Sequence, residues 1–140
     1  MAKKYGYVRV STKGQSIDRQ LEKLKALGVT DADIFIDKIS GATFSRPSYL
    51  SLRELISHGD ILYIDSIDRL GRNWTMTISE WNYIVHTVNA DIASLTETEA
   101  FFDSRRFKEM GEIGQLIESY ILSTLAWVAD TDRKKKHDYQ

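Results

Sequence analysis

Arginine and serine recur in this sequence where apolar runs give way to polar ones. Arg9, Ser11 and Thr12 close the first run, with Gln15 and Gln20 just behind. A second polar stretch carries Ser40 and Arg46, and a third carries Asp65, Asp68, Arg69 and Arg72. A guanidinium keeps its proton at ordinary pH and presents paired N–H donors that match phosphate oxygens. Several converging on one point would hold a phosphate and balance the charge that grows as it is attacked. A serine hydroxyl among them is a candidate nucleophile, activated where its proton is taken and the oxyanion on phosphorus is stabilised. Singly, each residue has a plainer use: Ser11 or Thr12 as a helix cap, Arg69 paired with Asp65 or Asp68, Arg46 facing water. The case for a shared site is that three separate loops offer the same groups.

The elements between these loops decide whether they meet. Residues 4–10 (KYGYVRV) are β-branched and aromatic and predict a strand. Residues 17–26 place Ile17, Leu21 and Leu24 at helical spacing, with Gly28 as the stop. Residues 33–37 (DIFID) predict a second strand, and KISGATFSR an exposed loop. Pro47, the one proline, suits the first position of a helix over 47–58. Residues 61–64 (ILYI) form a continuous apolar run, as in a strand covered on both faces. A helix over 74–88 and a strand over 91–95 follow. The order βαβαβαβ predicts an α/β fold with a mainly parallel sheet of four to five strands flanked by helices. Ligands of such sheets bind beyond the carboxyl ends of the strands, where all three loops fall.

The last segment has a different character. Residues 110–136 contain no proline, and Ile113, Leu116, Ile117, Tyr120, Ile121, Leu122, Leu125, Trp127 and Val128 exceed one core-facing stripe. The excess predicts a long helix that associates with a second subunit, through side chains such as Ile121, Leu125 and Trp127. The alternative is a helix buried within its own domain.

Composition narrows the field. The chain has 140 residues, 42% of them hydrophobic and 28% charged, which suits one folded domain. It has no cysteine, which removes disulfides, thiolate nucleophiles and cysteine-bound metals. His58, His86 and His137 lie far apart in sequence and form no local ligand pair. The net charge of −1 does not advertise nucleic acid, but Arg133, Lys134, Lys135 and Lys136 form an unbroken basic run. No stretch approaches the roughly 20 apolar residues of a membrane span, and MAKKYGY lacks a signal peptide's apolar stretch. The expected address is cytoplasmic, with no membrane partner.

Three motifs resemble the catalytic domain of the serine recombinases, the resolvase and invertase group. They are YVRVSTKGQ at 7–15, SGATFSRP at 40–47 and GDILYIDSIDRLGRN at 59–73. The resemblance covers nearly the whole chain and implies a resolvase-like fold without cofactor, metal or small-molecule substrate. It implies that Ser11 attacks a phosphodiester of double-stranded DNA, forming a 5′-phosphoserine link that is later religated to a new strand. Arg9, Arg46, Arg69 and Arg72 would bind the phosphate and Asp68 would orient arginines or move a proton, with Tyr7, Gln15 and Gln20 in support. Homodimers would assemble into a synaptic tetramer through the long helix, on bacterial nucleoid or mobile-element DNA. Asp132 stands where the family usually shows glutamate, before Arg133. Only KKKHDYQ follows Arg133, so the chain is expected to divide into a catalytic domain over 1–109 and the start of a helix over 110–140, truncated before a DNA-binding domain. The basic run would contact DNA. Two rivals remain: a metal-dependent phosphotransferase or nuclease using Asp65 and Asp68, and a catalytically idle, recombinase-like association domain.

Overall fold

The structure is a computed structural model that describes residues 2–11, 17–39, 45–96 and 102–138, with the backbone alone at 11, 39 and 129–138. Its strands are β1 (Lys4–Ser11), β2 (Ile34–Ile39), β3 (Ile61–Ile64) and β4 (Asp91–Ser94). Its α-helices are α1 (Asp18–Ala26), α2 (Pro47–Leu55), α3 (Trp74–Asn82), α4 (Ser104–Glu109) and α5 (Glu112–Asp138). The strands form one four-stranded sheet in the order β2-β1-β3-β4, parallel at every pairing. The α/β class and the parallel sheet match the sequence expectation.

Strand alternation divides the core. Tyr5, Tyr7, Leu62 and Ile64 pack with Tyr49, Leu52, Trp81, Ile84, Val85, Phe107 and Leu122 on one face. Val8, Val10, Ile61 and Tyr63 pack with Leu24 and Val29 on the other. The first face carries the larger cluster and the helices α2, α3, α4 and α5; the second is covered by α1. Burial of an aliphatic or aromatic side chain contributes about 1.5–3 kcal/mol, so the first cluster dominates the fold's stability.

Several boundaries differ from the sequence expectation. β2 continues to Ile39 because its ladder with β1 continues, pairing Arg9 with Asp37 and Ser11 with Ile39. The helix expected over 74–88 changes at Tyr83 into a π-helical turn, Tyr83–Thr87, and its wider winding leaves the adjacent Ile84 and Val85 both buried. The helix expected from residue 110 starts at Glu112. It is separated from α4 by Gly111 at φ 67°, a conformation glycine adopts without a Cβ clash.

The stripes of α5 also correct an expectation. Ile121 and Leu125 pack against the core of their own subunit, as does the buried Leu122. The outward residues are Ile113, Leu116, Tyr120 and Trp127, all about two-thirds exposed or more and three, four and seven positions apart on the helix. Among the described residues no helix is long and apolar enough to cross a membrane.

Candidate active site

β3 ends at Ile64, opposite Tyr7, while β1 runs on through Val8, Arg9, Val10 and Ser11 alongside β2. The chain leaving β3 closes over this overhang through a 3-10 turn, Ile67–Leu70, pinned by the buried Ile67 and Leu70. The carbonyls of the turn meet the arginines. Arg9 Nη1 donates to the Gly71 carbonyl at 3.1 Å, and Nη2 reaches toward that of Asp68 at 3.5 Å. Arg46 Nη1 donates to the Leu70 carbonyl, and Nη2 to Met76 Sδ at 3.4 Å. Gly71 is required by proximity: a Cβ there would stand 2.5 Å from Thr77 N and 2.8 Å from Met76 C. Asn73 caps α3, accepting from Met76 N at 2.8 Å, a contact worth ~1 kcal/mol. Turn and helix are thereby locked together.

Arg46 stands at the N-cap of α2 without capping it through its side chain. The cap comes from β2. Asp37, buried in the sheet, accepts from the amides of Ser48 and Tyr49, both at 3.0 Å, and from Tyr7 Oη at 2.9 Å. One carboxylate thus fixes the start of α2 against β1, and Arg46 with it. Arg46 as a residue is only 8% exposed, with its Cζ 4.1 Å from the centroid of Tyr49. The Tyr49 ring in turn meets Tyr7 edge to face at 5.1 Å.

The electrostatics show how closely the cations gather. Burial lowers the Arg9 pKa, the charge of Arg69 lowers it further, and Tyr7 and Asp68 oppose the shift. Arginine remains protonated nonetheless, so the shift reflects burial first and repulsion from Arg69 second. Burial and the bond to Asp37 push the Tyr7 phenol far up, against the pull of Arg46 and Arg9. The Arg69 Nε is buried and without a hydrogen-bond partner. Asp68 Oδ1 accepts from Ser66 Oγ, which steadies the turn. An anion is the natural complement of such a cluster.

Of the residues singled out from the sequence, Tyr7, Arg9, Arg46, Asp68 and Arg69 come together here. Arg72 lies on the same loop, its amide donating to Met76 Sδ at 3.3 Å. Gln20 sits half-buried in the first turn of α1. Ser11 ends β1, but its side chain, with Thr12, Gln15 and Ser40, lies outside the described residues. Asp132, Arg133, Lys134, Lys135 and Lys136 belong to α5, and their side chains are likewise outside the description. Sequence reasoning missed Asp37, Met76 and the carbonyls of Asp68, Leu70 and Gly71. An acid directly after the apolar run Ile34–Ile36, within a strand, was the available signal for Asp37.

A parallel α/β domain with arginines clustered at the carboxyl edge of its sheet is the class defined by fold and site. The family described as the N-terminal domain of resolvases matches residues 4–138, and the chain belongs to it. It is 33% identical over 137 residues to a site-specific recombinase of Escherichia coli, an alignment covering 94% of this chain and 62% of that protein. It is 44% identical over 69 residues to the transposon Tn3 resolvase of Escherichia coli, covering 49% of this chain and 37% of that one. The chain thus spans less than two thirds of the length of these curated relatives. Among solved structures, the N-terminal catalytic domain of TP901-1 integrase superposes with a TM-score of 0.59 at 26% identity, covering 94% of this chain and 98% of that one.

Proposed function

We propose that the chain is the catalytic part of a DNA recombinase that cleaves and rejoins strands by transesterification at Ser11. The Ser11 oxygen forms a bond to phosphorus as the bond to the 3′-oxygen breaks. The serine gives up its proton, the leaving oxygen gains one, and a 5′-phosphoserine link and a free 3′-OH remain. The phosphodiester energy is conserved in the link, so religation needs no external source. Arg9, Arg46, Arg69 and Arg72 bind and polarise the phosphate, Asp68 and Tyr7 hold that arrangement, and Gln15 and Gln20 assist from the first loop and α1. The observation that carries this reading is the gathering of Arg9 and Arg46 on the carbonyls of one turn beside the end of β1. The orphaned Arg69 Nε adds an unused donor.

To test it, the domain is fused to a sequence-specific DNA-binding module and offered nicked duplex DNA that traps the cleaved state, in the presence of EDTA. A covalent protein–DNA species is expected, because arginines supply the charge that a metal would otherwise supply. Ser11→Ala removes the species entirely. An adduct that survives this substitution assigns the attack elsewhere, Thr12 being nearest, and dependence on Mg²⁺ favours a carboxylate-metal site.

Residues 1–109 serve in this proposal as the catalytic domain and residues 110–140 as the start of an association helix, acting on DNA in the cytoplasm. Asp132 supports the site from that helix, and Arg133, Lys134, Lys135 and Lys136 approach the DNA backbone. The surface offered for a dimer, and for the tetramer built from dimers, is the outward stripe of Ile113, Leu116, Tyr120 and Trp127. Replacing Leu116 and Tyr120 by glutamate yields a folded monomer by sedimentation, since neither supports the subunit's own core. A wild-type chain that sediments as a monomer at high concentration rejects the proposed surface.

A further inference from the structure

Tyr49 is fully buried under Arg46, and its hydroxyl donates to Glu80 Oε1 at 2.7 Å. Arg53 Nε donates to the same oxygen at 2.9 Å, with its Cζ 3.8 Å from the centroid of Tyr83. A line of alternating groups therefore runs from Arg46 through an aromatic face and a carboxylate to a second arginine near the surface. We propose that Glu80, acting through Tyr49, is a positioning residue for Arg46. This rests on the reading of Arg46 as a phosphate ligand.

The geometry supports it from both ends of the ring. The Tyr49 backbone is fixed by Asp37, which accepts its amide at 3.0 Å, so the tilt of the ring is set at the far end by Glu80. Met76 and Glu80 lie four residues apart on α3 and so share a face of the helix. The first takes an Arg46 N–H on its sulfur, and the second orients the ring beneath Arg46. α3 also follows directly from the turn that supplies the Leu70 carbonyl. Three determinants of Arg46 thus move as one body. The charge of Glu80 matters as well. A carboxylate accepting a hydrogen bond from the phenol raises electron density on the ring, and a denser ring attracts the guanidinium above it more strongly. Burial, then Glu80, raises the Tyr49 pKa, while Arg46 and Arg53 oppose them, so the ring stays a neutral phenol in the working pH range.

The plainer role for Glu80 is to satisfy a buried hydroxyl. Glu80→Gln separates the two, because an amide oxygen still accepts from Tyr49 while the charge is gone. The first readout is the Arg46 guanidinium in the nitrogen-15 spectrum of this chain, displaced by the ring beneath it and slow to rotate about its Nε–Cζ bond. Glu80→Gln and Tyr49→Phe are each expected to move these signals toward those of a free arginine, with the melting midpoint nearly unchanged. The double variant should do no more than either alone. In the DNA-directed fusion, Glu80→Gln should slow single-turnover cleavage about 3- to 30-fold, the range for loss of a cation–π contact, without weakening DNA affinity. Unchanged Arg46 signals in folded Glu80→Gln, or strictly additive effects of the two substitutions, would overturn the proposal. A lowered melting midpoint with unmoved Arg46 signals would assign Glu80 a structural role alone. Full cleavage by Arg46→Ala would reject the phosphate reading, whereas Arg46 signals that still answer to Glu80 would uphold the positioning.

Discussion

Arg46 and Arg105 present the same guanidinium in opposite company. Arg46 sits at the carboxyl edge of the sheet with a backbone carbonyl, a thioether and an aromatic face around it. Arg105, on α4, holds both oxygens of Asp103, with Nη2 at 2.7 Å from Oδ2 and Nε at 2.9 Å from Oδ1. The hydrogen bonds that Arg105 donates to Asp103 raise the Arg105 pKa, and against the opposing effect of burial they hold the Asp103 carboxyl down. Each group at that pair neutralises the other. A carbonyl dipole orients a cation without cancelling its charge, as the Gly71 carbonyl does at Arg9 and the Leu70 carbonyl at Arg46. Arg53 on Glu80 and Lys108 on Asp91 follow the pattern of Arg105. At these scaffold pairs a carboxylate holds the cation, whereas at the edge of the sheet the Gly71 and Leu70 carbonyls orient Arg9 and Arg46.

The largest expected consequence is at Arg46. Arg46→Ala in the DNA-directed fusion should reduce single-turnover cleavage by about 10²- to 10³-fold, the cost of removing one donor from a developing oxyanion. Arg46→Lys should recover only part of this, because an ammonium lacks the planar fork and the aromatic stacking. If lysine restores full activity, the carbonyl-held geometry has no catalytic meaning and the contrast with Arg105 loses its point.

A second test concerns the phenols beneath the carbonyl-held arginines. Nearby cations alone would lower the pKa of Tyr7 and Tyr49, yet burial and the carboxylate acceptors Asp37 and Glu80 outweigh them and push both phenols up. In the unfolded chain they titrate near pH 10. Above that pH the unfolded state therefore binds fewer protons than the folded one, so stability present in full below about pH 10 is lost as pH rises. Alkaline titration followed by tyrosinate absorbance and helical ellipticity should show these two phenols ionising only as the helix signal collapses. Tyr7→Phe should shift that collapse upward. Smooth ionisation of every tyrosine before unfolding would mean that the pocket under the arginines is open to water.

The sheet and the gathering of Arg9, Arg46 and Arg69 were legible because strand alternation, a buried ILYI run and three recurring motifs all depend on local sequence. The carbonyls that hold the arginines were not. Any residue supplies a carbonyl, and what distinguishes Asp68, Leu70 and Gly71 is a 3-10 turn set by the burial of Ile67 and Leu70 against distant helices. Asp37 escaped notice for a related reason: its partners Tyr7, Ser48 and Tyr49 are brought to it by the crossover of α2. The two stripes of α5 were read as one, because an apolar residue facing its own core and one facing outward look alike until the helix is docked. Ile121 and Leu125 fell on the inner side, Trp127 on the outer.

The smallest effect is expected at Arg105, and it completes the contrast. Its partner Asp103 caps α4 by accepting the Arg105 amide at 3.0 Å, a contact that survives loss of the side chain. About half of the Arg105 side chain is exposed, so water and salt screen the pair, which should contribute no more than about 1 kcal/mol. Arg105→Ala should therefore lower the melting midpoint slightly, the shift should shrink as ionic strength rises, and cleavage by the DNA-directed fusion should stay within about twofold of wild type. Asp103→Ala should destabilise the chain more, since it removes the cap of α4 together with the pair, again without a specific effect on cleavage. A large loss of cleavage in Arg105→Ala at an unchanged melting midpoint would mean that this cation reaches the phosphate despite its carboxylate. The contrast between Arg46 on its carbonyl and Arg105 on its carboxylate would then no longer separate site from scaffold.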